Sequence, residues 1–245
     1  MKVDLNCDLG EAFGNYSFGG DKDIIPLVTS ANIACGFHAG DPTTMRIAVE
    51  QAIEKNVKIG AHPGYPDLIG FGRRDMDMHP QEIYDMTTYQ IGALSAFLNK
   101  YEKTLHHVKL HGALYNKAAQ SKEISEAVVS AVYDFLPQLK LYALANSVTV
   151  EVAKARGLEV WEEAFIDRTY EANGSLTSRK KENSVIADEE EALKQVLSII
   201  DKGKVTTVNG EKIRLQAQTL CIHGDNPNAL KFVKKITEHL QRNLN

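Results

Sequence analysis

Ionisable side chains recur near the ends of short apolar segments, a placement that suits acid–base chemistry or metal binding. The first segment, residues 3–11, alternates apolar and polar side chains, so Asp4, Asn6 and Asp8 share one face of a predicted strand. The same layout returns in six later segments. Alternation predicts five further sets that each share a face: Asn32 with His38, Gly60 with His62, Lys109 with His111, Glu163 with Asp167, and His223 with Asp225.

If these sets point inward, the interior of the fold holds several histidines and carboxylates together with a lysine. Burying an unpaired ion costs several kcal/mol, so these side chains must be paired, metal-bound or functional. A satisfied polar network that only fills the interior is the structural alternative, and for any single residue the two interpretations are of equal weight.

A divalent metal is the first chemical interpretation. Imidazole and carboxylate ligands suit zinc, manganese and similar ions. The candidate ligands come from separate predicted strands, without a local spacing such as HExxH. They are Asp8, His38, His62, His111, His223 and Asp225.

Proton transfer is the second chemical interpretation. A carboxylate and a histidine in one dry pocket form an acid–base pair, with Asp8 and His111 as the leading candidates. Lys109 would stabilise a developing oxyanion or bind an anionic substrate. An ion pair of Lys109 with Asp4 or Glu163 is an equally good interpretation.

Two arginine segments lie beside these candidates. Arg73 and Arg74 follow the flexible Gly70-Phe71-Gly72 segment, which suits closure over a carboxylate or phosphate; for Arg74 a solvated loop is the favoured interpretation. Asp167 and Arg168 either place a base beside an arginine or form a structural salt bridge.

The glycine-rich segment 10–20 lacks the lysine and hydroxyl of a P-loop and is weak evidence for a nucleotide.

The elements that position these residues are short strands alternating with helices, without a break in composition, over one domain of residues 1–245. Polar residues at nearly every strand end favour a closed parallel barrel, where all ends meet at one mouth, over an open doubly wound sheet. The sequence thus predicts an α/β fold, a seven-stranded parallel (β/α) barrel related to the TIM barrel. Its predicted strands are 3–11, 30–38, 58–62, 107–111, 140–144, 158–165 and 218–225.

Composition excludes several classes of protein. A net charge of −4 and the lack of a basic run beyond 179–181 argue against nucleic-acid binding. No apolar stretch approaches the roughly 20 residues that cross a bilayer, which argues against a membrane protein. The three cysteines, Cys7, Cys35 and Cys221, are far apart and odd in number, so we expect buried reduced thiols and a cytoplasmic location.

The motifs as they stand resemble the LamB/YcsF family over essentially the whole chain. The segment 176–184 fits the family pattern more loosely, because Asn183-Ser184 stands where a Gly-Ala pair is expected. The matching strings are VDLNCDLGE (3–11), NIACGFHAGD (32–41), GAHPGYPD (60–67), GFGRR (70–74), KLHGALYN (109–116), EAFIDRTY (163–170) and IHGD (222–225).

The resemblance implies a barrel of the glycoside hydrolase/deacetylase type. It also implies an activity, the ATP-dependent opening of the lactam of 5-oxo-L-proline (pyroglutamate) to L-glutamate, in a complex with two other subunits, B and C. The implied cofactor is ATP with Mg²⁺ as its counterion, and a site-bound divalent metal stays open.

We place roles on the matching positions as hypotheses. Asp8 is the base, Lys109 and His111 polarise or protonate, and Arg73 holds the substrate carboxylate. Asp167 is a further catalytic candidate. The other substrate-binding candidates are Asn6, His38, His62, Glu163 and His223, and the metal candidates that remain are His38, His62, His223 and Asp225.

Two other functions compete with this one. The first is a metal-dependent hydrolase or deacetylase acting on a carbohydrate or an amide. The second is a non-catalytic subunit that binds pyroglutamate and delivers it to catalytic partners.

Overall fold

Seven parallel strands close into a barrel, which confirms the predicted fold. A computed structural model describes residues 3–16, 20–223 and 229–242. The strands are β1 (Asp4–Leu9), β2 (Ser30–Ala34), β3 (Lys58–His62), β4 (His107–Lys109), β5 (Lys140–Leu144), β6 (Glu159–Phe165) and β9 (Thr219–His223), and they follow one another around the barrel in this order. The barrel closes where β1 pairs with both β2 and β9, and Asp8 aligns with Asn32 on one side and with His223 on the other.

Helices surround the barrel, and local sequence signals fix their ends. The helices are α1 (Asp21–Ile24), α2 (Pro42–Glu54), α3 (Pro80–Asn99), α4 (Gly112–Ala118), α5 (Lys122–Phe135), α6 (Val148–Arg156), α7 (Glu189–Lys202) and α8 (Ala229–Arg242). Asp41 accepts hydrogen bonds from the amides of Thr43 and Thr44 at the start of α2, and Pro42 occupies its first position. Gly157 and Gly203 end α6 and α7 in the left-handed conformation.

A small antiparallel hairpin lies outside the barrel between α7 and β9. It comprises β7 (Lys204–Thr206) and β8 (Lys212–Arg214), with Asn209-Gly210 in the turn between them. Gly210 adopts a φ of 81°, which a side chain would disfavour.

The core has two parts of opposite character. Apolar side chains of the strands pack outward against the helices, as Ile33, Val108 and Leu141 do with full burial. The buried cysteines Cys7, Cys35 and Cys221 are free thiols, as expected, although Cys35 follows β2 rather than lying within it. Burial raises the pKa of Cys35 to about 12, so this thiol stays protonated.

The barrel interior is polar, as the alternation along β1 predicts. Asp4 is buried at the bottom, where it accepts hydrogen bonds from the hydroxyls of Thr29 (2.6 Å), Ser30 (2.7 Å) and Thr219 (2.7 Å). Three donors satisfy this carboxylate without a cation. Among the described residues, no helix is long and apolar enough to cross a membrane.

Candidate active site

A column of amides and one imidazole rises from Asp4 through the barrel interior. Asn32 donates from its side-chain amide to Asn6 Oδ1 and to Asp8 Oδ1, both at 2.8 Å. His107 Nε2 donates to Asn32 Oδ1 at 2.6 Å, and burial lowers the pKa of His107 well below its usual value. The column therefore consists of neutral side chains, bonded to one another, that carry Asp8 at their upper end.

Lys109 is the buried ammonium at the top of this column. Its Nζ lies 2.6 Å from Asp8 Oδ1, 3.4 Å from Glu163 Oε1 and 2.9 Å from Cys221 Sγ. Burial alone would lower the pKa of Lys109, but the negative charges of Asp8 and Glu163 outweigh it and raise the pKa well above its usual value. The predicted ion pair exists with Glu163 and Asp8 rather than with Asp4. Lys109 therefore stays charged and is suited to polarising a substrate.

Glu163 is held beneath this ammonium by two donors. Asn6 Nδ2 donates to Glu163 Oε1 at 2.9 Å, and Tyr115 Oη donates to Oε2 at 2.7 Å. Burial, together with the charge of Glu163, raises the pKa of Tyr115, which keeps the phenol protonated as a donor. Glu163 thus shares Lys109 with Asp8 and fixes the position of the ammonium.

Three histidines and one glutamate form a second buried group beside Asp8. Glu11, His38, His62 and His111 are all buried, and one ligand-type atom from each lies within 4.8 Å of the others. His38 Nε2 is 3.2 Å and His111 Nδ1 is 3.5 Å from Glu11 Oε1. The His38 and His111 rings stack in parallel with centroids 3.7 Å apart. We call these four residues the histidine cluster.

Backbone carbonyls orient two rings of the histidine cluster. His62 Nδ1 donates to the Lys109 carbonyl and His111 Nε2 donates to the Phe71 carbonyl, both at 2.8 Å. In neutral rings these bonds leave His62 Nε2 and His111 Nδ1 without protons, and the two atoms lie 3.0 Å apart. Asp8 Oδ2 lies 3.3 Å from the same His62 Nε2. Burial lowers the pKa of His111 well below its usual value, so the neutral form is favoured.

Glycines allow the loop after β3 to pack directly on the histidine cluster. Gly72 has a φ of 62°, and a Cβ there would lie 2.6 Å from His38 Cβ and 2.7 Å from His111 Cδ2. The Gly72 carbonyl also accepts from the Ala113 amide at 2.9 Å, which ties this loop to the start of α4. A side chain at position 72 would therefore displace both rings.

A cavity of about 450 Å³ opens above Asp8 and Lys109. Its lining includes Asp8, Arg73, Lys109 and His111 together with the segment 175–180. Cationic side chains at the cavity are those of Arg73, Lys109, Arg168, Arg179 and Lys180. Such a wall suits an anionic ligand, because guanidinium groups bind carboxylates and phosphates in a forked geometry.

Arg168 anchors the segment that contains Thr177 and Ser184. Its Nη2 donates to the Thr177 carbonyl at 2.5 Å, and its Nε donates to the Ser184 carbonyl at 3.1 Å. Burial, reinforced by the nearby Arg179, lowers the pKa of Arg168 to about 10, which leaves the guanidinium charged at neutral pH. Arg168 thus holds the loop in place as well as contributing charge to the cavity.

A profile of the LamB/YcsF family matches residues 3–244. The chain belongs to the LamB/YcsF family. A relative from Bacillus cereus (strain AH187), named as the A subunit of 5-oxoprolinase, is 53% identical over 242 residues, covering 98% of this chain and 96% of the relative. Another of the same name, from Staphylococcus carnosus (strain TM300), is 55% identical over 242 residues and covers 99% and 96%. The crystal structure of a lactam utilization protein from Thermus thermophilus superposes with a TM-score of 0.93 at 47% identity, covering 99% of this chain and 97% of the other.

In this LamB/YcsF protein, most of the predicted site residues lie at or around the cavity. Those that line the cavity are Asp8, Arg73, Lys109 and His111. His38 and His62 belong to the histidine cluster, whereas Asn6 and Glu163 are fully buried among the bonds that hold Lys109. Asp167 is buried, and its carbonyl accepts from the Ile186 amide at 2.9 Å. The side chain of His223 and all of Asp225 lie outside the described residues.

Arg74 is an exposed loop residue, as the sequence favoured, and it also has a fixed partner. Its guanidinium is exposed, but it donates to the buried carboxylate of Asp67. Asp67 also accepts from the Gly70 amide at 2.9 Å. Arg74 therefore helps to shape the loop that carries Arg73.

Sequence reasoning missed Glu11 and Tyr115. Glu11 follows Gly10, whose φ of 69° breaks the strand alternation from which the shared faces were predicted. Tyr115 lies on α4, a helix of seven residues that was not predicted. The helical spacing between His111 and Tyr115 was the available signal, because residues four apart lie on one side of a helix.

Proposed function

We propose that this chain is the lactam-opening component of an ATP-dependent 5-oxoprolinase, a hydrolase that converts 5-oxo-L-proline to L-glutamate together with subunits B and C. The observation that carries the proposal is the buried pair of Asp8 and Lys109, 2.6 Å apart, at the wall of a small cationic cavity. The names of the relatives support both the lactam substrate and the multi-subunit enzyme.

The cavity has the size and charge for this substrate. A volume of about 450 Å³ lies in the range of small-molecule sites. In the proposed complex, Arg73 binds the substrate carboxylate, and the Lys109 ammonium faces the lactam oxygen. Its raised pKa ensures that the ammonium is charged at neutral pH, as polarisation of that oxygen requires.

Asp8 is the proposed base. Its Oδ1 accepts from Lys109 and Asn32, and this pair of bonds fixes the orientation of the carboxylate. Its Oδ2 faces His62 Nε2 at 3.3 Å. Asp8 takes a proton from the attacking water and returns a proton to the ring nitrogen as the carbon–nitrogen bond breaks. His111 has a lowered pKa and a fixed ring, so we assign it a positioning role rather than that of an acid.

ATP, with Mg²⁺ as its counterion, supplies the driving force in this proposal. Its γ-phosphoryl group is transferred to the lactam oxygen, which makes the ring carbon electrophilic. Water adds to that carbon, the carbon–nitrogen bond breaks to give an amine and an acyl phosphate, and a second water releases phosphate and glutamate. The cationic wall of the cavity, with Arg73, Arg168 and Arg179, can balance the charge of the phosphorylated species.

Glutamate and phosphate release from 5-oxo-L-proline and ATP tests the proposal. We expect turnover when this chain is mixed with subunits B and C, and a loss of about 10²-fold or more in Asp8→Asn. Asp75→Asn removes an exposed carboxylate that pairs with Lys117 and should leave the rate unchanged. A loss of less than tenfold in Asp8→Asn, with tight substrate binding retained, would instead indicate a non-catalytic binding subunit.

The histidine cluster favours a second candidate function, a metal-dependent hydrolase acting on an amide or a carbohydrate. That function predicts turnover of an amide without ATP and its loss after chelation. Turnover that requires ATP and both partner subunits would rule it out.

A further inference from the structure

We propose that Glu11, His38, His62 and His111 form a binding site for one divalent transition-metal cation of the zinc or manganese class. This set differs from the one expected from sequence, because it includes Glu11 and does not depend on His223 or Asp225. Metal binding stands on the geometry of these four side chains, so it can be tested without substrate, ATP or partner subunits.

The first argument is the close contact between two ring nitrogens of the histidine cluster. The carbonyls of Lys109 and Phe71 take the N–H groups of His62 and His111, and the remaining ring nitrogens then face each other at 3.0 Å. Two lone pairs at this distance repel one another unless a positive charge lies beside both. A cation bound by both nitrogens turns this repulsion into two favourable bonds.

The second argument is the spacing of the ligand atoms. Ligands about 2.0–2.1 Å from a tetrahedral zinc ion lie about 3.3–3.4 Å from one another. The measured separations are 3.0 Å between His62 Nε2 and His111 Nδ1, 3.5 Å between His111 Nδ1 and Glu11 Oε1, and 3.2 Å between His38 Nε2 and Glu11 Oε1. The four atoms all lie within 4.8 Å of one another, and the stacked rings of His38 and His111 must tilt toward each other for both nitrogens to bind one ion.

The third argument is the set of contacts behind the ligands. A histidine that binds a metal usually donates its other N–H to a carbonyl or a carboxylate, which fixes the ring and its tautomer. His62 and His111 both show this arrangement. His38 is 1% exposed, and its Nδ1 has no hydrogen-bond partner in the described part of the chain. Its Nε2 points toward Glu11, which gives this buried ring one polar contact within the cluster.

The chemistry of the donors selects the class of ion. Three imidazoles and one carboxylate suit zinc, manganese, cobalt or iron, whereas magnesium and calcium prefer oxygen ligands. Two further carboxylates, Asp8 and Glu163, are buried nearby with Lys109 as the ammonium that contacts both. Because His111 also lines the cavity, a bound ion would lie at its edge, where a water molecule or a ligand can complete the coordination.

Calorimetric titration of the chelator-treated chain with Zn²⁺, and separately with Mn²⁺, tests the proposal. We expect one equivalent of Zn²⁺ or Mn²⁺ per chain and a weakening of the affinity by 100-fold or more in Glu11→Gln and in His38→Gln. His106→Gln is the matched control, because His106 is a half-buried histidine that contacts His107 and Trp161 instead of the histidine cluster. It should bind the ion within twofold of the wild type.

X-ray absorption spectroscopy of the Zn²⁺-loaded wild type identifies the atoms that bind the ion, so this test needs no variant. Imidazole scattering with nitrogen and oxygen neighbours at about 2.0–2.1 Å is expected. Substoichiometric binding to the folded wild type, unchanged affinity in both variants, or an absorption spectrum without imidazole scattering would each overturn the proposal; the 3.0 Å contact would then be a shared proton. Since no step uses lactam or ATP, failure here is distinct from failure of the proposed function.

Discussion

The lower and upper halves of the barrel interior use similar side chains in opposite ways. In the lower half, Asp4 accepts from three hydroxyls and His107 donates to Asn32, so these two ionisable groups have neutral partners. In the upper half, Asp8 contacts the Lys109 ammonium and an imidazole, and ring nitrogens of His62 and His111 face each other at 3.0 Å. A polar interior is therefore not itself a sign of function; the sign is the group of ionisable side chains that meet beside the cavity.

Lys109→Met should produce the largest effect on stability in the upper half. It leaves the buried carboxylates of Asp8 and Glu163 without their ammonium, and breaking such a pair typically costs about 3–5 kcal/mol. Urea unfolding measures the change, and 5-oxoprolinase activity should be lost with it. Lys181→Met is the control, because its exposed pair with Glu171 is worth about 1 kcal/mol or less. Equal stability of the two variants would show that the buried ion pairs of Lys109 contribute no more to folding than the exposed pair of Lys181.

Adding Asp8→Asn to Lys109→Met sharpens this test. If the two charges compensate one another, the double variant should be less destabilised than the sum of the single variants. Additive losses would mean that the two side chains act on stability independently, so the contact between Asp8 and Lys109 would have no measurable coupling energy.

Gly72→Ala should have the next largest effect, and it acts through the histidine cluster. The new Cβ would lie 2.6 Å from His38 Cβ in a residue with a φ of 62°. Strain of this kind costs about 1–3 kcal/mol, and displacement of the rings should weaken metal binding and activity as well. Gly210→Ala has a comparable φ of 81° with nothing within 4 Å, so it isolates the backbone cost. Circular dichroism melts and Zn²⁺ titration of both variants provide the comparison; matching results would show that the loop does not hold the rings.

The difference between the two halves also explains what the sequence could predict. Period-two alternation along β1 correctly placed Asp4, Asn6 and Asp8 inside one barrel, because a strand has only two faces. Alternation contains no information on distance across the barrel, so it could not tell that Lys109 contacts Asp8 and Glu163 rather than Asp4. Glu11 was missed because it follows Gly10, where a positive φ ends the strand alternation, and Tyr115 was missed because the short helix α4 was not predicted.

The smallest of the expected effects is in the lower half, where His107 should make the free energy of unfolding depend on pH. The folded pKa of His107 is well below the usual 6.5, because of burial first and the neighbouring His106 and Lys109 next. The unfolded chain then binds more protons than the folded chain once the pH falls below about 6.5, so stability is full above that pH and declines below it. Between pH 6.5 and 5.5 this one group should account for about 1 kcal/mol of the free energy of unfolding.

His107→Gln separates this contribution from those of the other buried histidines. Glutamine can keep a donor for Asn32 Oδ1, but it does not titrate. Urea unfolding at pH 7.5 and pH 5.5 should therefore show a smaller loss of stability in the variant than in the wild type, with lactam turnover at pH 7.5 little changed. An identical loss in both proteins would mean that His107 is protonated in the folded chain as readily as in the unfolded chain. The lower half would then contain a protonated His107, and the contrast between the two halves would fail.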